Sequence, residues 1–357
     1  MPHWTSRGRG RALTAVLALA AVTSAAGCSG GGGGWKAPAK GQAAVLLGTS
    51  AQDGTSGAAS LGFAGSIDGL AFGPGGEVYG LDADLVRIDA DRRAHIVLDD
   101  QAKGAHGLVA RPDGSFLTGR GATVSLLRAD GTDTVLAGGA GPGRVPDAPV
   151  PATAGATAFR FGNTGATPFG VRQDGSVLLA DGDVVWSLKD STLTRVYQAP
   201  GTAAKGRHPA VMPGSAVDGT GTAWVAAGSL DDEEKVGDIV TIAPGGKAAE
   251  PALPAKATGA TEDLASLRLL WLAADGANGV YAHATSAAND YVLHLRPGSA
   301  QVVARHRVSA KDPRTCDLPH PVDATRLPCK LPYALAYHDD RLVLAGQATF
   351  VLTIAVA

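Results

Sequence analysis

Residues 67–99 constrain this chain more than any other stretch. Leu70-Ala71-Phe72 runs into a turn at Gly73-Pro74-Gly75-Gly76, and Glu77-Val78-Tyr79-Gly80-Leu81 follows. A corner at Asp82-Ala83-Asp84 leads to Leu85-Val86-Arg87-Ile88, then through Asp91-Arg92-Arg93 to His95-Ile96-Val97-Leu98. Each run alternates apolar and polar positions, which gives a strand one apolar face, and each is cut by Gly, Pro or Asp, the residues that reverse a backbone. Three tight turns within about thirty residues leave room only for an antiparallel meander. Such a sheet cannot bury its own face, so it requires copies of itself.

The copies are present. His106-Gly107-Leu108-Val109 opens a second unit, turns at Pro112-Asp113-Gly114, and closes on Thr134-Val135-Leu136-Ala137. A third runs from Pro168-Phe169-Gly170-Val171 through Asp174-Gly175 and Val177–Asp181 to Leu193–Tyr197. The fourth is looser: Ser215-Ala216-Val217, Asp218-Gly219, Thr222–Ala226 and Ile239–Ile242. The fifth spans Leu269–Ala304, and the sixth has Tyr333–Tyr337, Arg341–Ala345 and Thr349–Ile354 before the sequence stops one strand short. Ala43–Gly48 carries the pattern of the missing strand. The expectation is an all-β, six-bladed β-propeller over residues 43–357, closed into a ring by its N-terminal strand, which removes exposed sheet edges. Seven blades is the structural alternative, because the later units are less regular. Abundant glycine (49 residues) and sparse aromatics (5%) suit many turns and close packing.

With these residues in view, the sequence resembles the NHL-repeat β-propellers, whose repeat pairs Pro-x-Gly-(Ile/Val) with an Asp-Gly turn and a Val-Tyr-x-Ala-Asp strand. Pro168-Phe169-Gly170-Val171 with Asp174-Gly175 and Leu178-Leu179-Ala180-Asp181 matches best, and Gly69-Leu70-Ala71 with Val78-Tyr79-Gly80-Leu81-Asp82 is next. Val135–Gly141 followed by Pro151-Ala152-Thr153-Ala154 is similar to a Gly-rich insertion found between blades of bacterial members. The resemblance implies a binding platform or sensor domain, and related six-bladed propellers include metal-dependent lactonases and lyases. Fold alone does not choose among these.

The first 42 residues stand apart. Arg7, Arg9 and Arg11 precede an apolar run from Ala12 to Ala26, the pattern of an export signal over residues 1–27. It ends in Ala25-Ala26-Gly27-Cys28, which resembles the lipobox of bacterial lipoproteins except for Ala where Leu is usual. That resemblance implies lipidation of Cys28, and more than one acyl chain gives stable anchoring; ordinary cleavage that leaves Cys28 unmodified is the rival reading. Residues 28–42 then form a Gly-rich tether to the extracytoplasmic face of the cell membrane. Export also bears on Cys316 and Cys329, which flank a Pro-rich stretch. Outside the cytoplasm such a pair is expected to form a disulfide, whereas two thiols alone are too few for a metal site.

A net charge of −2 gives no electrostatic reason to expect a nucleic-acid partner. Propellers bind at the channel mouth, where the loops leading into the innermost strands converge. Here those loops place Asp68, His106, Phe169, Trp271 and Tyr333, a partly aromatic funnel with one carboxylate and one imidazole. The plain reading of each is a loop residue packed on a neighbouring blade; the collective reading is one concave binding site. Catalysis by a divalent metal would need three or more converging ligands, and Asp68, His106 and His208 are the candidates on that side. No catalytic residue is assigned, and no cofactor is expected apart from such a metal. The acidic run Asp231–Glu234 lacks the alternating ligands and central Gly of a calcium loop.

Two functions follow as expectations. One is a membrane-anchored, extracytoplasmic, non-catalytic module binding an envelope protein, peptide or glycan. The other is a metal-dependent lactonase or lyase with its site in the channel. The anchor is tested by Cys28→Ala: the variant should lose its lipid and leave the membrane fraction, and full retention there would refute lipidation.

Overall fold

The computed structural model describes residues 36–356 except 49–66, 90–91, 100–103, 140–149, 163–164, 200–208, 212–213, 230–237, 313–314 and 347–349. Cys28, most of the expected tether, His208 and the acidic run at 231–234 lie outside the described residues. Among those described, no helix is long and apolar enough to cross a membrane.

The strands form six antiparallel sheets. Blade 1 comprises Gly69–Phe72, Val78–Leu81, Leu85–Ile88 and Ala94–Leu98, and blade 2 Ala105–Ala110, Phe116–Arg120, Thr123–Leu127 and Asp133–Ala137. Blade 3 is built from Thr167–Val171, Val177–Asp181, Val184–Lys189 and Thr192–Gln198. Blade 4 contains Ala216–Val217, Ala223–Ser229, Asp238–Ile242 and Ala248–Ala249, with Pro209–Val211 also paired to its second strand. Blade 5 contains Arg268–Ala274, Val280–Thr285, Asn289–Arg296 and Ser299–Arg307. Blade 6 takes Ala334–His338, Arg341–Ala345 and Val351–Ala355 from the C-terminus and Gln42–Leu47 from the N-terminus.

The Asp-Gly turns explain why the first two strands of a blade reverse where they do. Asp113, Asp174 and Asp218 each accept the backbone N–H two residues on, from Ser115 (3.1 Å), Ser176 (3.1 Å) and Thr220 (2.9 Å). Gly114 and Gly175 occupy the left-handed region, at φ 78° and 81°, that such turns demand.

The first strand of each blade is innermost, and these strands touch in cyclic order, blade 6 returning to blade 1. Side chains on the blade faces form six apolar clusters among the described residues, one in each seam. Ala71, Leu81 and Leu85 meet Leu108, Phe116 and Leu127 between blades 1 and 2. Leu117 and Val124 meet Trp186 and Leu188 in the next seam. One cluster per seam decides for six blades over seven.

Neighbouring inner strands approach so closely that some positions admit only hydrogen. A Cβ on Gly69 would lie 2.5 Å from Leu108 Cβ, and one on Gly170 would lie 2.4 Å from Val217 Cγ2. The glycine of the Pro-Phe-Gly-Val motif is therefore an inter-blade contact.

Closure occurs as expected from the sequence, with the strand starting at Gln42. It pairs antiparallel with the last strand in the register Ala43↔Ile354, Ala44↔Thr353, Val45↔Leu352 and Leu47↔Val351. The strand serves both adjoining seams: Ala43 and Val45 pack towards blade 5, and Leu46 and Leu47 towards blade 1 with Ile67, Leu70 and Val78. Arg92 of blade 1 adds a hydrogen bond from Nε to the Leu46 carbonyl, at 2.8 Å.

Three features were not expected. Thr153–Gly155, within the Gly-rich insertion, pairs with Thr192–Thr194 as a fifth strand of blade 3. Val322–Asp323 pairs with Gln42–Ala43 outside blade 6. Pro209–Val211 shares a strand partner with the innermost strand of blade 4. Cys316 and Cys329 form the expected disulfide. Both are buried in the seam between blades 5 and 6, and their loop contains Val322–Asp323. Closing it contributes about 3 kcal/mol in the chain-entropy account.

The seam contacts predict an asymmetry. Leu46 is 3% exposed, so Leu46→Ala should cost about 2–5 kcal/mol. Ile96, on the outermost strand of blade 1, is 45% exposed, and Ile96→Ala should change stability by less than about 0.5 kcal/mol. Equal denaturation midpoints for the two variants would contradict the closure.

Candidate functional site at the channel mouth

The innermost strands bring four of the five expected mouth residues into one neighbourhood. Asp68 immediately precedes the first strand of blade 1, and His106 lies at the start of blade 2. The two blades are tied there by the Gly107 N–H, which donates to the Asp68 carbonyl at 2.7 Å. On the opposite side of blade 1, the Tyr333 hydroxyl donates to the carbonyl of Ile67. Trp271, from the first strand of blade 5, meets the Tyr333 ring edge-on at 5.8 Å. Imidazole, carboxylate, phenol and indole thus come from the innermost strands of blades 2, 1, 6 and 5, or from the residue just before them. Asp68 is exposed, and the other three are half-buried.

Phe169 lies elsewhere. It is 8% exposed and packs with Leu178, Val185, Ala223 and Val225 between blades 3 and 4. It is not a loop residue before the strand, as expected, but lies within Thr167–Val171, at a bulge between Pro168 and Gly170 that shifts the register. The opening position of blade 4, Gly214, is pressed against blade 5: its carbonyl accepts the Leu272 N–H at 2.6 Å, and a Cβ there would lie 2.8 Å from Trp271 Cα. That contact helps fix the indole.

The electrostatics pair Asp68 with His106. Although Asp68 is exposed, desolvation by the protein around its carboxyl raises it above its ordinary value; nearby Asp82 adds to this and His106 opposes it. Burial lowers the His106 imidazole, against the pull of the nearby Gly104 and Ala166 backbone and of Asp68; its Nε2 is buried with no hydrogen-bond partner among the described residues. The pair suits hydrogen bonding to a ligand, and the two rings offer apolar surface beside it. Among the described residues no group of three His, Cys, Asp or Glu is placed to hold a metal ion.

A supporting residue that sequence reasoning missed is His283, on the second strand of blade 5. It is 1% exposed, and its Nδ1 lies 3.1 Å from the Tyr333 carbonyl. A carbonyl only accepts, so Nδ1 carries the proton and donates. Nε2 is buried with no hydrogen-bond partner among the described residues. Protonating it would place a charge in an apolar seam, so burial pushes the imidazole down to about 4. His283 therefore holds Tyr333 from behind in its neutral form.

Asp181, the last residue of the strongest repeat match, is buried and structural. It accepts from the Gly162 N–H at 2.9 Å and from Trp186 Nε1 at 3.2 Å.

No protein-family model matches the chain, and no curated protein is similar to it. Solved structures do resemble it. A protein of unknown function from Bacteroides thetaiotaomicron superposes with a TM-score of 0.57 at 13% identity, over 88% of this chain and 75% of that one. A gluconolactonase from Xanthomonas campestris superposes with a TM-score of 0.53 at 11% identity, over 88% of this chain and 89% of that one. At these identities the likeness is one of fold.

The His283 arrangement predicts a pH dependence. Its folded value lies near 4, below the ordinary 6.5, so on acidification the unfolded chain takes up the proton first. The stabilisation is complete above pH 6.5 and is lost as pH falls towards 4, by roughly 3 kcal/mol for this group. His106 acts in the same direction and Asp68 in the opposite one. Denaturant melts of His283→Gln should show a shallower loss between pH 6.5 and 4.5 than the parent; parallel curves would refute the assignment.

Proposed function

We propose that this protein is a non-catalytic binding module of the cell envelope, held at the extracytoplasmic face of the membrane through Cys28, and that its propeller receives an envelope protein, peptide or glycan at the channel mouth. One observation carries the reading: Asp68, His106, Tyr333 and Trp271 come from four successive blades and are brought together along the innermost strands, by the Gly107–Asp68 and Tyr333–Ile67 hydrogen bonds and the Trp271–Tyr333 ring contact. A carboxylate beside aromatic edges offers directed hydrogen bonding together with apolar contact, the combination that small ligand sites use. This group is held from behind by His283 and Gly214, so little order need be gained on binding.

A second reading, a metal-dependent lactonase or lyase, starts from the Asp68–His106 pair, with His208 as the further candidate ligand. It requires a divalent ion at the mouth and lactone hydrolysis that a chelator abolishes.

Binding of the purified protein to an array of envelope peptides and glycans separates the two. Trp271→Ala and Asp68→Asn should each weaken retention about tenfold or more, the range expected when a well-packed contact or a charged hydrogen bond is lost. Retention unchanged in both variants would sink the mouth as the site. Chelator-sensitive lactone hydrolysis would establish the enzyme in its place.

A further inference from the structure

A second site is built on the rim of the ring, at the outer edge of blade 5. The outermost strand there, Ser299–Arg307, has its edge covered by two segments. The Thr258 N–H donates to the Ala300 carbonyl and the Val302 N–H to the Thr258 carbonyl, at 2.8 and 2.9 Å. Further along, the Leu327 N–H donates to the Arg305 carbonyl at 3.0 Å. A cleft of about 520 Å³ opens at this end of the strand, lined chiefly by Thr261, Asn289, Arg305, Arg307, Thr325 and Arg326. Three guanidinium groups line it, and no carboxylate does. Arg305 and Arg307 share one face of the strand by period two, and Arg326 comes from within the loop closed by the disulfide.

The carboxylates nearby are already engaged. Asp323 accepts from the Thr325 N–H and hydroxyl, at 2.9 and 2.7 Å, and lies 3.7 Å from Arg326 Nε. Glu262 accepts from Thr261, Ser286, Asn289 and Tyr291. Burial opposes its ionisation, yet these four hydrogen bonds hold its carboxyl down at about 2. The same bonds occupy the side-chain donors of Thr261 and Asn289, as the bond to Asp323 occupies that of Thr325. Arg305 spends Nε on the Thr325 carbonyl, and Arg307 makes no ion pair among the described residues. The binding capacity left in the cleft is therefore mostly guanidinium N–H: three guanidinium groups line it, and of the carboxylates beside it Asp323 faces Arg326 while Glu262 is taken up by its four hydrogen bonds.

Three like charges in one cleft repel, and an anion relieves that repulsion while gaining bidentate hydrogen bonds. We propose that this rim cleft binds a compact oligoanion, a molecule about the size of a nucleotide or an acidic disaccharide carrying two or more phosphate or carboxylate groups, held by Arg305, Arg307 and Arg326. The site is distinct from the channel mouth and does not depend on the function proposed for it.

Calorimetric titration of the full chain with sodium tripolyphosphate and, separately, with citrate tests this. Saturable binding of at least one probe is expected, and raising the salt should weaken it. Arg307→Gln and Arg326→Gln should each reduce affinity about tenfold or more, the loss of one charged hydrogen bond. Arg128→Gln, an exposed arginine between outer strands of blade 2, should leave affinity unchanged. Thermal melts of the variants confirm that the ring is intact. A preference for tripolyphosphate assigns a phosphorylated ligand, a preference for citrate a carboxylated one, and equal affinity the shared oxyanion chemistry. Failure of both probes to saturate, or equal losses from Arg128→Gln and the cleft variants, would overturn the site.

Discussion

Everything in this structure depends on one antiparallel pairing, between Gln42–Leu47 and Val351–Ala355. Five blades take all their principal strands from one continuous stretch of chain. The sixth is assembled from both ends, and only then does every blade have a neighbour on each face. The pairing supplies ladder hydrogen bonds worth about 0.5–1.5 kcal/mol each. Its larger effect is geometric. Without it, the seam between blades 5 and 6 would lose Ala43, and the seam between blades 6 and 1 would lose Leu46 and Leu47. The side-chain bonds from Arg92 to Leu46 and from Arg341 to the Gly76 carbonyl cross between blades 1 and 6 and tighten the same junction.

Within the closed ring, the spacing of the inner strands determines what reaches the channel mouth. Where Gly69 and Gly170 sit, the strands meet without room for a side chain; Asp68, beside Gly69, stays exposed at the mouth, whereas Phe169, beside Gly170, is drawn into the seam between blades 3 and 4. Tyr333 is fixed from two directions, its hydroxyl on the Ile67 carbonyl and its own carbonyl on His283. That sets the candidate site on backbone held by two seams, and residues so held share the rigidity of the scaffold under them.

The blades were legible in the sequence because their signals are local. Period two marked the strands, and an aspartate two residues ahead of a hydrogen-bonding N–H marked the turns, as at Asp113 and Asp174. The closing strand was legible too, since the last unit ran out one strand early. Other features depend on distant partners. Thr153–Gly155 and Val322–Asp323 are too short to show a period, and become strands only because an edge is waiting for them. Phe169 was expected at the mouth as the residue before the entry glycine, but it lies within the strand Thr167–Val171, where the bulge between Pro168 and Gly170 shifts the register and the ring packs into the seam. Similar register shifts interrupt the inner strands at His106/Val109 and Leu269/Trp271. The rim arginines follow no repeat pattern, and residues from 261 to 326 become neighbours only on folding.

The pairing in blade 6 also makes the point at which the ring is opened arbitrary. The Gly41 N–H donates to the Ala355 carbonyl at 2.8 Å, so the two ends of the described ring lie side by side. A short peptide link between them would leave every blade as it is, and the chain could then be opened in any loop between blades. In topological terms the protein is a circle that happens to be cut inside one sheet. A cut there differs from a cut between blades: the two pieces of blade 6 register each other strand by strand, whereas separate blades meet through side chains and scattered backbone bonds such as Gly107 to Asp68 and Leu272 to Gly214. The opening falls where the ring has its most specific means of closing.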